Sequence, residues 1–206
     1  MDSAELVKKH NGFDSFNPMQ EKAINAGAAS SSIVVSSPTA SGKTVVAEIA
    51  MLDSILNRKK KAVYTGPLRA LASEHAHDFK RKYERLGVKI VLSTGDYDSS
   101  GANLSAKDAI FTTYEKLGSL ITHRAEWLSS IGAIVIDEIH TIGSDRGPTL
   151  EMVVTKLRSI NPKMQILGLS ATIPNSKQLS EWLGAKLVES DYRPVKLREG
   201  IYLDGS

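Results

Sequence analysis

A nucleoside triphosphate needs hydrogen-bond donors and positive charge held in a tight arc. Ser37-Pro38-Thr39-Ala40-Ser41-Gly42-Lys43-Thr44 has the residues to supply both. It follows the apolar run Ile33-Val34-Val35 and leads into a helical pattern. The backbone N–H groups of Thr39, Ala40, Ser41 and Gly42 would face the phosphates, beside a helix N-terminus that already carries partial positive charge. Lys43 would reach the β- and γ-phosphates, and the Thr44 hydroxyl would ligate Mg²⁺. The usual pattern opens with Gly where this chain has Ser37. Gly-Lys-Thr alone is too short to be specific, so its context and a second motif must decide.

The second motif is present. The apolar stretch from Ile131 to Ile136 ends in Asp137-Glu138-Ile139-His140. A buried strand that delivers two carboxylates at its tip needs an ion or polar chemistry there, because burying an unpaired carboxylate is costly. Asp137 would hold Mg²⁺ through its water shell, opposite Thr44. Glu138 would accept a proton from, or orient, the water attacking the γ-phosphate. Acids also favour helix starts, which is the plainer account of this pair. Beside a phosphate loop, Glu138, Asp137 and Lys43 are the candidate catalytic set. Ser170-Ala171-Thr172 follows the next apolar strand. The hydroxyls of Ser170 and Thr172, with His140, are candidates for sensing whether the acidic motif faces substrate or product. A Ser/Thr loop before Pro174 is ordinary turn chemistry as well.

The elements that must position these residues follow from periodicity. Candidate strands are 33–35, 62–65, 89–92, 109–112, 133–137 and 165–169. Between them, Val45, Ile49, Leu52 and Leu56 recur at helical steps, as do Leu150, Val153, Val154, Leu157 and Ile160. Strands apolar throughout, alternating with helices, predict an α/β fold with a mostly parallel sheet covered on both faces. Ligands in such sheets bind beyond the carboxyl ends of the strands, where the motifs fall. With 206 residues, one domain is the default reading. Hydrophobic residues are 41% and charged residues 24% of the chain, as in ordinary globular proteins. No apolar run is long enough to suggest a membrane span. The absence of cysteine excludes disulfides and thiolate metal sites and fits an intracellular setting. The net charge of +3 is a weak pointer to an anionic partner. Arg58-Lys59-Lys60-Lys61 reads as a solvated helix end complementing the macrodipole.

Taken in order, the phosphate loop, Asp-Glu-Ile-His and Ser-Ala-Thr resemble the first RecA-like domain of superfamily-two helicases. Finer features resemble the Ski-type branch, closest to the archaeal Hjm-type DNA repair helicases. These are Pro67-Leu68-Arg69-Ala70-Leu71-Ala72, Thr94-Gly95-Asp96-Tyr97, Arg146-Gly147-Pro148-Thr149-Leu150-Glu151, Ser170-Ala171-Thr172-Ile173 and Arg193-Pro194-Val195-Lys196-Leu197. The resemblance implies ATP and Mg²⁺ as ligands and a cytoplasmic, archaeal setting. It also implies that Phe16-Asn17-Pro18-Met19-Gln20 is an adenine-recognition motif, with the Gln20 amide pairing with the base. Arg69, Thr94, Gly95, Thr113 and Lys116 match segments that contact one strand's sugar-phosphate backbone in these helicases. Two departures stand out: Ser37 replaces the first Gly, and Ala40 replaces the Gly of many helicase loops.

The family's motor has two RecA-like domains with ATP between them. Residues 1–190 correspond to the first, and 191–206 to its edge and the linker onward. A single motor domain is expected to be poorly active alone, its second RecA-like domain being a partner in the same protein. The Arg-Gly-Pro-Thr-Leu-Glu and Arg-Pro-Val-Lys-Leu features favour single-stranded DNA over RNA. A Ski-type RNA helicase, another P-loop ATPase such as a transporter or kinase, and a non-catalytic nucleotide-binding module are the competing readings. A transporter ATPase would carry Leu-Ser-Gly-Gly-Gln, which this sequence lacks.

Overall fold

The computed structural model describes residues 2–95 and 104–195. Its strands are β1 (Ile33–Ser36), β2 (Lys61–Gly66), β3 (Ile90–Ser93), β4 (Ala109–Thr113), β5 (Ile131–Ile136), β6 (Gln165–Ser170) and β7 (Lys186–Glu189). They form one seven-stranded sheet in the order β3-β4-β2-β5-β6-β1-β7. Every pairing is parallel. The α-helices among the described residues are α1 (Ser3–Asn11), α2 (Pro18–Asn25), α3 (Lys43–Leu52), α4 (Arg69–Tyr83), α5 (Tyr114–Thr122), α6 (Gly147–Ile160) and α7 (Ser176–Leu183).

Because side chains alternate along a strand, the apolar strands feed two separate cores. Ile33, Val35, Ala62, Tyr64, Phe111, Leu167 and Leu169 pack with α1, α2, α3 and α4 on one face. Val34, Val63, Ile110, Ile134, Ile136 and Ile166 pack with α5, α6 and α7 on the other. This is the α/β arrangement expected of strands that are apolar on both sides, and it agrees with the RecA-like fold that the resemblance implied.

Several local expectations are corrected. β5 fills the whole apolar stretch from Ile131 to Ile136 rather than the candidate span 133–137, so Asp137 is the first residue beyond it. The periodic Leu56 falls in a π-helical turn (Asp53–Asn57) after α3, and Ile160 at the end of α6 is exposed. β7 was not foreseen, since only Val188 of its four residues is buried and its ends are charged. Arg58 is no solvated cation. Its guanidinium pairs with Asp53 at 2.9 Å and donates to the carbonyls of Gly132 (3.1 Å) and Ala29 (3.2 Å) and to Gln165 Oε1 (2.7 Å). Gln165 in turn donates to Ala28 and Ser31. This bracket fastens the amino ends of β5 and β6 to the segment after α2. Lys61 opens β2, with its Nζ donating to Ser105 and Lys107 carbonyls.

Candidate functional site

The strand order distributes the motifs along one edge. The phosphate loop leaves β1, the Ser-Ala-Thr segment leaves β6, and the acidic motif leaves β5; these three strands are adjacent. Arg69, Thr94 and Thr113 lie at the ends of β2, β3 and β4, which form the other half of the same edge.

The loop between β1 and α3 is braced from within and without. Ser37 and Ser41 are fully buried and their hydroxyls lie 2.7 Å apart, closing the loop. Ser37 avoids positive φ, so the position of the usual Gly demands none here, whereas Ala40 sits at φ 64°. Gly42 has φ 87°. Asn17 Nδ2 donates to the Ser41 carbonyl (3.0 Å) and Gln20 Nε2 to that of Gly42 (3.2 Å). Lys43 Nζ donates to the carbonyls of Ser37 (2.8 Å) and Pro38 (2.9 Å). Burial pushes the Lys43 ammonium below its ordinary pKa, with Glu138 and Asp137 acting in the opposite sense. Lys43 therefore lies within the field of both carboxylates.

At α3 the helix N-terminus has neither a side-chain cap nor an acid in its first turn. The first N–H groups of any helix lack intrahelical partners, so this end suits an anion. Thr44 shares a small recess with Tyr64 and His75, the two residues beside Asp137. Hydroxyl and carboxylate oxygens are the hard donors that Mg²⁺ takes. The donor types thus suit a phosphate chain and a hard cation.

Asp137 is held by several groups. Its N–H donates to Thr65 O (2.8 Å), Tyr64 Oη donates to its Oδ2 (2.6 Å), and Tyr114 Oη donates to its carbonyl. Oδ1 accepts the Glu138 N–H at 3.0 Å, and His75 Nε2 lies 3.8 Å from Oδ2. Burial foremost, then the Asp137 charge, pushes the Tyr64 hydroxyl well above its usual pKa, keeping it a donor. Glu138 adopts φ 50°, ψ 42°, a left-handed backbone that costs a non-glycine residue and recurs at functional sites. His140 Nδ1 lies 3.3 Å from Glu138 Oε2 and 3.4 Å from the Ala171 N–H. Ser170 O accepts the Ser37 N–H (3.2 Å), so the Ser-Ala-Thr segment touches both phosphate loop and acidic motif. Ser170 is buried within this set; Thr172 is exposed and stands apart from it.

Gln20 is buried, and both ends of its amide are used. Its Oε1 accepts the Asn17 N–H at 3.0 Å while its Nε2 donates to Gly42. One N–H and one lone pair remain for a base. Around the other half-edge, Arg69, Thr94, Thr113 and Lys116 line one cleft of about 470 Å³ with Pro67, Leu68 and Arg146. Gly95 follows Thr94 but does not line it, while Asp96, Tyr97, Lys196 and Leu197 lie outside the described residues.

Sequence reasoning gave no individual role to Asn17, Tyr64, His75, Tyr114 or Arg146. Asn17 and Arg146 lay inside quoted motifs. A tyrosine in or after a buried strand is itself a signal, because its hydroxyl must find a partner.

Comparison with known proteins agrees with this geometry. A DEAD/DEAH box helicase family model matches residues 17–179. ATP-dependent DNA helicase Hel308 of Caldivirga maquilingensis is 48% identical over 202 residues, covering 97% of this chain and 26% of that protein. Its counterpart from Pyrococcus abyssi is 46% identical, covering 97% of this chain and 28% of that protein. The chain thus spans about a quarter of the length of these relatives. The crystal structure of DUF1998 helicase MrfA superposes with a TM-score of 0.74 at 27% identity, covering 93% of this chain and 32% of that one. MrfA bound to DNA gives 0.73 at 26% identity, covering 93% and 28%. With its phosphate loop, acidic motif and parallel sheet in this order, the chain belongs to the DEAD/DEAH box helicase family.

Proposed function

We propose that this chain is the first motor domain of an ATP-dependent helicase that moves along single-stranded DNA inside the cell. The observation that carries the reading is that the loop after β1 and the acidic motif after β5 share one half of a sheet edge, while Arg69, Thr94, Thr113 and Lys116 share a cleft at the other half. Lys43 and the uncapped N-terminus of α3 would bind the phosphates, with Thr39, Ala40, Ser41 and Gly42 forming the loop around them. Gln20 would meet the adenine with its remaining N–H and lone pair. Thr44 and Asp137 would hold Mg²⁺, which when bound neutralises phosphate charge. Glu138 would take a proton from the attacking water, its carboxylate set by the left-handed turn and by His140. His140 and Ser170, with Thr172 moving in from solvent, would report the state of that site to the rest of the motor. Arg69, Thr94, Thr113 and Lys116 would line one side of a track, with Gly95 at its margin beside Thr94, that grips the sugar-phosphate backbone regardless of base sequence.

In this reading, residues 191–206 lead toward a second RecA-like domain that supplies the remaining charges around the γ-phosphate. DNA is preferred because the relatives named above are DNA helicases. The test is ATP turnover by the full-length protein with single-stranded DNA or RNA of equal length. Stimulation by DNA is expected. Stimulation by RNA that equals or exceeds it would move the protein to the RNA-helicase reading, and no stimulation by either would overturn the proposal.

A further inference from the structure

The two halves of the edge meet where β2 lies beside β5, and the Tyr114 side chain crosses that seam from the end of β4. Tyr114 is fully buried at the first position of α5. Its neighbours Thr113, Glu115 and Lys116 all line the cleft assigned above to the polynucleotide. Thr113 closes the corner by accepting the Lys116 N–H on its Oγ1 at 3.3 Å. The Tyr114 hydroxyl reaches the opposite way and donates to the Asp137 carbonyl. Gly66 pairs with Thr113 in register, and a Cβ added there would lie 3.7 Å from Asp137 Cβ. Burial pushes this hydroxyl above its ordinary pKa, so it stays a donor.

We infer that Tyr114 is a positioning residue that couples polynucleotide binding to the nucleotide site. The carbonyl it holds belongs to the Asp137–Glu138 peptide. The orientation of that peptide plane sets the left-handed backbone of Glu138, and so the direction of its carboxylate. A strand pressing on Thr113 and Lys116 would shift the corner, and the hydroxyl would turn the peptide with it. Tyr64 holds the same aspartate by its side chain but comes from within β2 and does not line the cleft. A second tie runs in parallel: the Arg146 guanidinium, from the segment after the acidic motif, donates to Pro67 O at the cleft. The inference rests on the proposed function, since it requires both ligands to bind.

Coupling between two ligands is reciprocal and is read as the ratio of one ligand's affinities with and without the other. The experiment uses full-length protein, a thymidine homopolymer and the β,γ-imido analogue of ATP. In the wild type, the analogue is expected to change DNA affinity by about 5–150-fold. In Tyr114→Phe the ratio should fall at least about threefold toward unity, the Arg146 tie remaining, while each ligand alone still binds within about threefold of wild type. An unchanged ratio in Tyr114→Phe would overturn the inference, and failure of either ligand to bind the wild type would instead overturn the functional reading. Should Tyr114→Phe not fold, hydrogen exchange on the wild type decides. DNA alone should alter protection of the Glu138 amide, and no change there would overturn the coupling role.

Discussion

Replacing Gly42 by alanine tests the loop directly. At φ 87° an L-residue is strained, and the new Cβ would lie 2.7 Å from Gln20 Nε2. The amide cannot swing clear, because Gln20 is buried and locked to Asn17 by a reciprocal cap. Left-handed backbone costs roughly 1–2 kcal/mol. Losing the Gln20 bond to the Gly42 carbonyl adds about 1 kcal/mol. The total of about 2–3 kcal/mol must appear somewhere. If the loop keeps its shape, the cost falls on folding and lowers Tm by roughly 5–10 °C, at 2–4 °C per kcal/mol for a domain of this size. If the loop relaxes instead, nucleotide affinity drops by roughly 30–150-fold. Thermal unfolding and titration with a fluorescent ATP analogue measure the two shares. A variant with wild-type Tm and wild-type Kd would refute the idea that this loop is held in a glycine-only shape by Gln20.

Ala40→Gly is the converse case: relief at φ 64° should outweigh the extra freedom of the unfolded chain, raising stability by about 0.5–1 kcal/mol on thermal unfolding. In the full-length protein, Glu138→Gln should abolish turnover and keep ATP binding, whereas Lys43→Ala should weaken binding too; steady-state kinetics and equilibrium titration separate them. Substituting Arg69 and Lys116 together by alanine should reduce the slope of log affinity for single-stranded DNA against log salt by about 1.4, with nucleotide Kd kept. Arg58→Met should leave the Gly132 and Ala29 carbonyls and Gln165 Oε1 short of their donor, costing about 3 kcal/mol in denaturant unfolding without altering nucleotide Kd.

The site was legible in sequence where chemistry is packed into short runs. Ser37 to Thr44 and Asp137 to His140 carry their meaning locally, and the strand before each announces itself by apolar content. What could not be read were the supports, because they act between residues distant in the chain. Tyr64 and Asp137 are 73 positions apart, and Arg58 and Gln165 are 107 apart. Periodicity also hid β7, an edge strand with one buried residue, and it read Arg58 as surface because a basic run looks solvated until its carbonyl partners are placed. The left-handed turn at Glu138 has no local signature, since glutamate does not favour it. The cleft residues Arg69, Thr94, Thr113 and Lys116 were named from the family resemblance, while their meeting in one cleft, with Arg146 beside them, came only with the fold.

One feature of the sheet governs when the site can exist during synthesis. Among the described strands, β1, which delivers the phosphate loop, is made first, yet its two neighbours, β6 and β7, are made last. Ile33 pairs with Leu167 on one side and Lys186 on the other. For the time it takes to translate about 150 further residues, roughly 8–30 s at 5–20 residues per second, the loop has no flanking strands. Nascent chains that stop before β6 would hold the full phosphate-loop sequence and bind no nucleotide. The earliest-made motif thus waits on the latest-made strands, so ATP rewards only chains whose sheet has closed around β1.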